Sequence, residues 1–181
     1  YAEAVPGGTL NPALLPKYVT PLVIPPAMPR TSKLPVRMDK NIDYYEIAVR
    51  QFRQQILPAG WPTTTVWGYG SVNHPDTFNY PAYTIEASVN RPVRVKWIND
   101  LKDPLTGKFL PHLLPIDQTL HWANPPQDCI DGMAKTDCRG QAPRRYTGPV
   151  PIITHLHGAH VDPVSDGYPE AWYLPAAVNI P

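Results

Sequence analysis

The chain has 181 residues, 16 basic and 15 acidic, for a formal charge of +1, and its positive residues are scattered, so no electrostatic footprint for a nucleic acid is present. At roughly 150 residues per domain this length supplies about one core, and the 43% of apolar residues suffice to fill it. A charged fraction of 17% disfavours a coiled coil or a charge-rich tail, no apolar run is long enough to cross a bilayer, and 25 prolines, about 14%, exclude a helical bundle because each removes a backbone donor and ends a helix.

Residues 1–40 carry Pro6, Pro12, Pro16, Pro21, Pro25, Pro26, Pro29 and Pro35. Proline at that density excludes a long helix or a regular ladder and predicts an extended arm. The interleaved Leu14, Leu15, Tyr18, Val19, Leu22, Val23 and Ile24 are too apolar for a free linker, so the arm is expected to lie along a larger body. From Tyr44 the pattern changes. Tyr45, Ile47 and Val49 alternate with Glu46, Ala48 and Arg50, which predicts a half-buried strand running towards Ile56. After the break at Leu57-Pro58-Ala59-Gly60-Trp61-Pro62, three further short strands are predicted at Thr64–Tyr69, Tyr83–Ala87 and Val93–Asn99. Short strands separated by Pro, Gly and Asn stretches are the rhythm of a β-sandwich.

The stretch from Leu101 to Pro149 is rich in proline and has no sustained periodicity, as long functional or packed loops often do. It contains the two cysteines, Cys129 and Cys138, with Gly132 available for a turn between them. A local disulfide is expected, and with it an exported protein. The alternatives are two free thiols or half of a metal site, although the spacing is not that of a C-x₂-C pair. The chain opens at Tyr1 without a leader-like segment, so any signal peptide is expected to have been removed. Val150–His157 then returns to a strand pattern.

That last strand carries Thr154-His155-Leu156-His157-Gly158, followed by Asp162 and by Ser165-Asp166-Gly167-Tyr168-Pro169-Glu170-Ala171-Trp172. Alternate residues of a strand share a face, so His155 and His157 should converge with Cβ atoms about 7 Å apart. Neutral imidazole is the commonest protein ligand for zinc and copper, and the following glycine leaves room for a close approach. By spacing alone, two half-exposed strand histidines without metal are the commoner outcome, and two ligands do not close a site. His160 falls past the expected strand end and is the weaker third candidate. His74, His112 and His121 are placed in loops, and Tyr168 and Trp172 are read as core or wall. Asp166 precedes Gly167 in a turn and is explained equally well as an aspartate bonded to its own backbone. No G-x-S-x-G, glycine-rich phosphate loop or H-E-x-x-H is present.

Thr154 to Trp172, T-H-L-H-G-A-H-V-D-P-V-S-D-G-Y-P-E-A-W, resembles the first copper-binding motif of the bacterial multicopper oxidases, in the branch of spore-coat laccases, phenoxazinone synthases and bilirubin oxidases. The resemblance extends back through Thr65-Val66-Trp67-Gly68-Tyr69, Tyr83-Thr84-Ile85-Glu86-Ala87, Val95-Lys96-Trp97-Ile98-Asn99-Asp100-Leu101 and Leu113-Leu114-Pro115-Ile116-Asp117, covering Tyr44 to Pro181. It implies an all-β, cupredoxin-like Greek-key β-sandwich. Residues 1–40 would form the proline-rich arm, packed on the rest of the enzyme. Residues 41–181 would form an incomplete first cupredoxin domain, truncated at its C-terminal side. It further implies a copper enzyme that takes single electrons from a small reducing substrate at a type 1 copper and reduces dioxygen to water at a trinuclear cluster. His155 inherits the role of a type 2 copper ligand, His157 that of a type 3 copper ligand, and Asp166 that of a proton relay.

This sequence has only the first of the family's four His-x-His type motifs and no type 1 copper ligands. The expected partner is therefore the remainder of the oxidase, as a separate chain or nicked fragment. The insertion from Pro125 to Gly148 is longer than in the spore-coat laccases. Phenols, aminophenols, bilirubin and metal ions all remain open as substrates. The alternatives are a stand-alone copper-binding or structural module without turnover, and a metal-free binding sandwich that would need His155 and His157 exposed and unpaired.

Overall fold

The computed structural model describes residues 10–31, 41–116, 127–128, 134–135, 149–168 and 173–175. They fall into two compact units, Leu10–Asp100 and the described residues from Leu101 onward.

The first unit is built on a mixed sheet of β1 (Asp43–Gln54), β2 (Thr64–Ser71), β3 (His74–Asn79) and β4 (Val93–Asn99), in the order β3-β2-β1-β4. β1 is rich in aromatic and β-branched residues and free of Gly and Pro, which suits it to an inner position. It pairs antiparallel with β2 from Ile47↔Ser71 to Gln54↔Thr64, and parallel with β4 from Asp43↔Val93 to Val49↔Asn99. Over Asp43–Val49 nearly every side chain is buried, including Tyr44 and Ala48, and only beyond Val49, where β4 ends, does exposure alternate. The expected alternation of Tyr45, Ile47 and Val49 against Glu46, Ala48 and Arg50 is not seen, because the inner end is covered on both faces, and beyond Val49 the exposed residues are Gln51 and Arg53, on the odd-numbered face expected to be buried.

His74 opens the edge strand β3, where a loop was expected. An edge tolerates Pro75, whose missing N–H would break an inner ladder. The Thr77 hydroxyl holds the hairpin, accepting from the Ser71 N–H at 2.8 Å and donating to the His74 carbonyl oxygen at 2.7 Å. Conversely, Tyr83–Ala87 forms no regular strand. It makes a single parallel bridge, Ala27↔Thr84, in which the Met28 N–H donates to Thr84 at 2.8 Å and the Thr84 N–H to Pro26 at 2.9 Å. In this register Pro26, which has no N–H, cannot donate to the Ala82 carbonyl, so the pairing cannot propagate back towards the start of the segment.

Met28, Tyr45 and Ile47 form the buried cluster of this unit, with Tyr69, Tyr83, Ile85, Val93 and Val95 packed against it. Upstream of it, Leu14, Tyr18, Leu22 and Ile24 are exposed. At the head of β1, the fully buried Asp43 carboxylate receives Arg91 Nε at 2.6 Å and Arg30 Nη1 at 3.0 Å on the same oxygen, Oδ1. Its other oxygen, Oδ2, is buried without a partner. A buried carboxylate demands such compensation, and here it ties residues 30, 43 and 91 together.

The second unit has little regular structure among its described residues. Lys102↔Phe109 is a single antiparallel bridge closing a turn in which Asp103 Oδ1 accepts from the Leu105 N–H at 3.0 Å, the Thr106 N–H at 2.7 Å and the Thr106 hydroxyl at 2.9 Å. β5 (Gln127–Asp128) and β6 (Ala134–Lys135) pair antiparallel. Cys129 and Cys138, and with them the expected disulfide, lie outside the described residues. Val150–His157 is not the regular strand expected. Only Ile152 bridges, to Tyr173, through bonds of 3.0 and 2.8 Å. Pro149 and Pro151, on either side of Val150, lack the N–H groups that a ladder there would use. A short turn of helix, α1 (Pro163–Asp166), follows.

Among the described residues no helix is long and apolar enough to cross a membrane. With one mixed four-stranded sheet and almost no helix, the fold is all-β as expected, consistent with a fragment of a cupredoxin-like sandwich.

Candidate metal centre

Residues 153–156 belong to no ladder and His157 lies in a turn, yet His155 and His157 meet. His155 Nε2 stands 3.4 Å from His157 Nδ1, and the rings meet edge to face with centroids 5.6 Å apart and an interplanar angle of 68°. The convergence expected of alternate strand residues is thus present without a strand. Both rings are exposed, and Leu156 between them is 61% exposed. Two imidazole nitrogens at this separation can share one proton between them or present two lone pairs to a cation.

The segment ends at Gly158, where φ is +75°. The chain then returns through α1 to the same place. The Ser165 N–H donates to the Asp162 carbonyl oxygen at 2.8 Å, the Asp166 N–H to the same oxygen at 3.1 Å, and the Gly167 N–H to the Pro163 carbonyl oxygen at 3.1 Å. The Leu156 N–H donates to the Ser165 carbonyl oxygen at 3.4 Å, joining the histidine segment to the turn. Gly167, at φ 94° and ψ 140°, then lies against His155: a Cβ built on it would stand 3.0 Å from His155 Cβ and 3.1 Å from Cγ. The dipeptide Asp166-Gly167 signals a turn in the sequence, but this contact belongs to the returning chain and has no local signature.

Asp166 is the last residue of α1 and is exposed. His160 lines an open hollow with Ala159, Val161, Asp162 and Ser165. His112 lies half-buried in irregular chain, and His121 and Trp172 fall outside the described residues. Tyr168, expected in core or wall, is 48% exposed, because it follows the α1 turn at the surface.

Among the described residues no group of three or more His, Cys, Asp or Glu could hold a metal ion. The donor type and the facing nitrogens of His155 and His157 suit copper, but as a share of a site, since even a four-coordinate ion needs further ligands.

No family model matches the chain. It is similar to a laccase of Haloferax volcanii, 35% identical over 92% of this chain, and to a laccase of Bacillus subtilis, 34% identical over 88%. It is also similar to the Oryza sativa protein named multicopper oxidase LPR1 homolog 3, 32% identical over 75% of this chain. These alignments take up 24%, 24% and 19% of the three proteins, so the chain spans about a quarter or less of the length of the curated relatives it matches.

Proposed function

We propose, for a chain that belongs to the multicopper oxidase family, that its part in catalysis is to supply His155 and His157 to a trinuclear copper cluster. His155 would hold the type 2 copper and His157 one copper of the type 3 pair. When bound, that cluster supplies four-electron reduction of dioxygen to water, with the electrons taken singly from a phenolic or similar reducing substrate at a type 1 copper. The observation that carries this reading is the approach of His155 Nε2 to His157 Nδ1 at 3.4 Å on a short segment bounded by a bridge and a positive-φ glycine.

The chain's own contribution is to hold the two imidazoles adjacent and open on one side. Their exposure suits a pair completed by other protein, and a quarter-length match to the relatives supports further domains as the source of the remaining ligands and of the type 1 site. In that reading residues 1–40 are the arm packed on the rest of the enzyme and residues 41–181 belong to the first cupredoxin domain. Asp166, one residue before the glycine that touches His155, would pass protons towards the cluster as oxygen is reduced.

The test uses the complete protein. His155→Ala and His157→Ala should each abolish oxygen consumption while the blue absorbance of the type 1 copper persists. Retained oxygen consumption in His157→Ala would overturn the ligand assignment. Asp166→Asn should keep its copper and slow reoxidation by roughly 100-fold, the lower range for a positioned proton donor. Turnover unchanged across pH would remove the relay role. The exposure of both rings also suits a stand-alone copper-binding module, which would bind copper at this pair and show no turnover in any variant.

A further inference from the structure

We propose that Gly167 is a positioning residue for His155, setting where its imidazole stands relative to His157. The inference rests on the copper-ligand reading of that pair. Two independent features single out the glycine. Its backbone, at φ 94° and ψ 140°, lies in a region that residues with a Cβ scarcely populate, and its N–H closes α1 on the Pro163 carbonyl oxygen at 3.1 Å. The space beside it is also already filled: a Cβ would stand 3.0 Å from His155 Cβ, 3.1 Å from Cγ and 3.4 Å from Nδ1.

The first of these distances decides the consequence. A clash with a ring atom can be relieved by rotating the side chain, but His155 Cβ is fixed by its own backbone. A side chain at 167 must therefore shift the 154–157 segment or the turn, and the Leu156-to-Ser165 hydrogen bond at 3.4 Å couples the two. Because Leu156 lies between the two histidines, that coupling passes the shift to the segment that sets His155 Nε2 3.4 Å from His157 Nδ1. Gly167 thus acts on the metal site by being bare.

Gly60 supplies a matched control, because its φ is +91° and a Cβ there would meet nothing within 4 Å. Gly60→Ala carries comparable backbone strain with no ring to displace. In the complete, copper-loaded protein, Gly167→Ala should weaken retention of the type 2 copper by roughly 10–100-fold, the range for losing a group that orients a metal ligand. It should also alter the paramagnetic resonance spectrum of that copper, while the type 1 absorbance stays unchanged. Gly60→Ala should leave both as in the parent protein. Gly167→Asn, which adds the same Cβ with a side chain able to hydrogen-bond nearby backbone, provides the same reading if the alanine protein does not fold. A parental type 2 spectrum and copper affinity in Gly167→Ala or Gly167→Asn, with His155→Ala lacking that signal, would overturn the positioning role alone. A parental signal in His155→Ala would overturn the ligand reading and this inference with it.

Discussion

The sheet over residues 43–99 and the histidine segment over residues 150–167 are held in different ways. β1 is fixed on both edges by continuous ladders, its inner half is buried, and the Arg30–Asp43–Arg91 cluster clamps its head. His155 and His157 depend on one bridge at Ile152, one turn of helix and two glycines at positive φ. In the first region many weak terms specify the same answer, so no single one sets the geometry. In the second, individual conformations set it, as is usual for exposed chain that carries a site. Substitutions in the sheet should therefore cost stability and leave copper chemistry intact, and substitutions in the histidine segment should do the reverse.

The largest expected effect tests the second half of that contrast. His155→Ala or His157→Ala should remove oxygen reduction and leave the unfolding free energy of the copper-free protein within about 0.5 kcal/mol of the copper-free parent, as for a surface substitution. A midpoint lowered as far as that of a core variant would mean that the pair also supports the fold.

Asp43→Ala tests the other half. The carboxylate is fully buried while the Arg30 and Arg91 side chains are 51% and 40% exposed. Its removal should therefore cost roughly 3 kcal/mol, the low end for breaking a buried pair, because the guanidinium groups left behind reach water. Denaturant unfolding measures this, with copper content unchanged. A cost below about 0.5 kcal/mol, that of an ordinary surface change, would show that the cluster is not a clamp.

The smallest effect is on alkaline stability. Burial, the hydrogen bond from the Tyr44 hydroxyl to Glu46 at 2.9 Å and the Glu46 charge push the Tyr44 phenol up to about 12, against a partial opposing effect of Arg94. Below about pH 10 the phenol is protonated in both the folded and the unfolded chain, and its contribution is complete. Between there and pH 12 only the unfolded chain loses the proton, so stability should fall as pH rises. Tyr44→Phe should flatten that decline, and an identical pH profile in the two proteins would remove Tyr44 as its source.

How much of this was legible in the sequence follows the same division. Val93–Asn99 is β4 at the expected bounds, and β1 and β2 lie where their aromatic and β-branched residues placed them, although the alternation read in β1 is lost to burial on both of its faces. Tyr83–Ala87 has the composition of a strand but only a proline-rich partner, and a partner's missing donors are invisible in the strand's own residues. His74 was concealed by Pro75, which an edge strand accepts. The convergence of His155 and His157 was expected from strand alternation and is present although His157 lies in a turn. The contact of Gly167 with His155 was not, since it arises only when the chain turns at α1 and comes back.

The most direct test of the account is the number of copper ions held by the complete protein, compared with that of the His155→Ala/His157→Ala double variant. The expected result is loss of cluster copper with the blue type 1 absorbance retained and sheet stability unchanged. An unchanged copper count in the double variant would contradict the assignment of this pair to the copper centre.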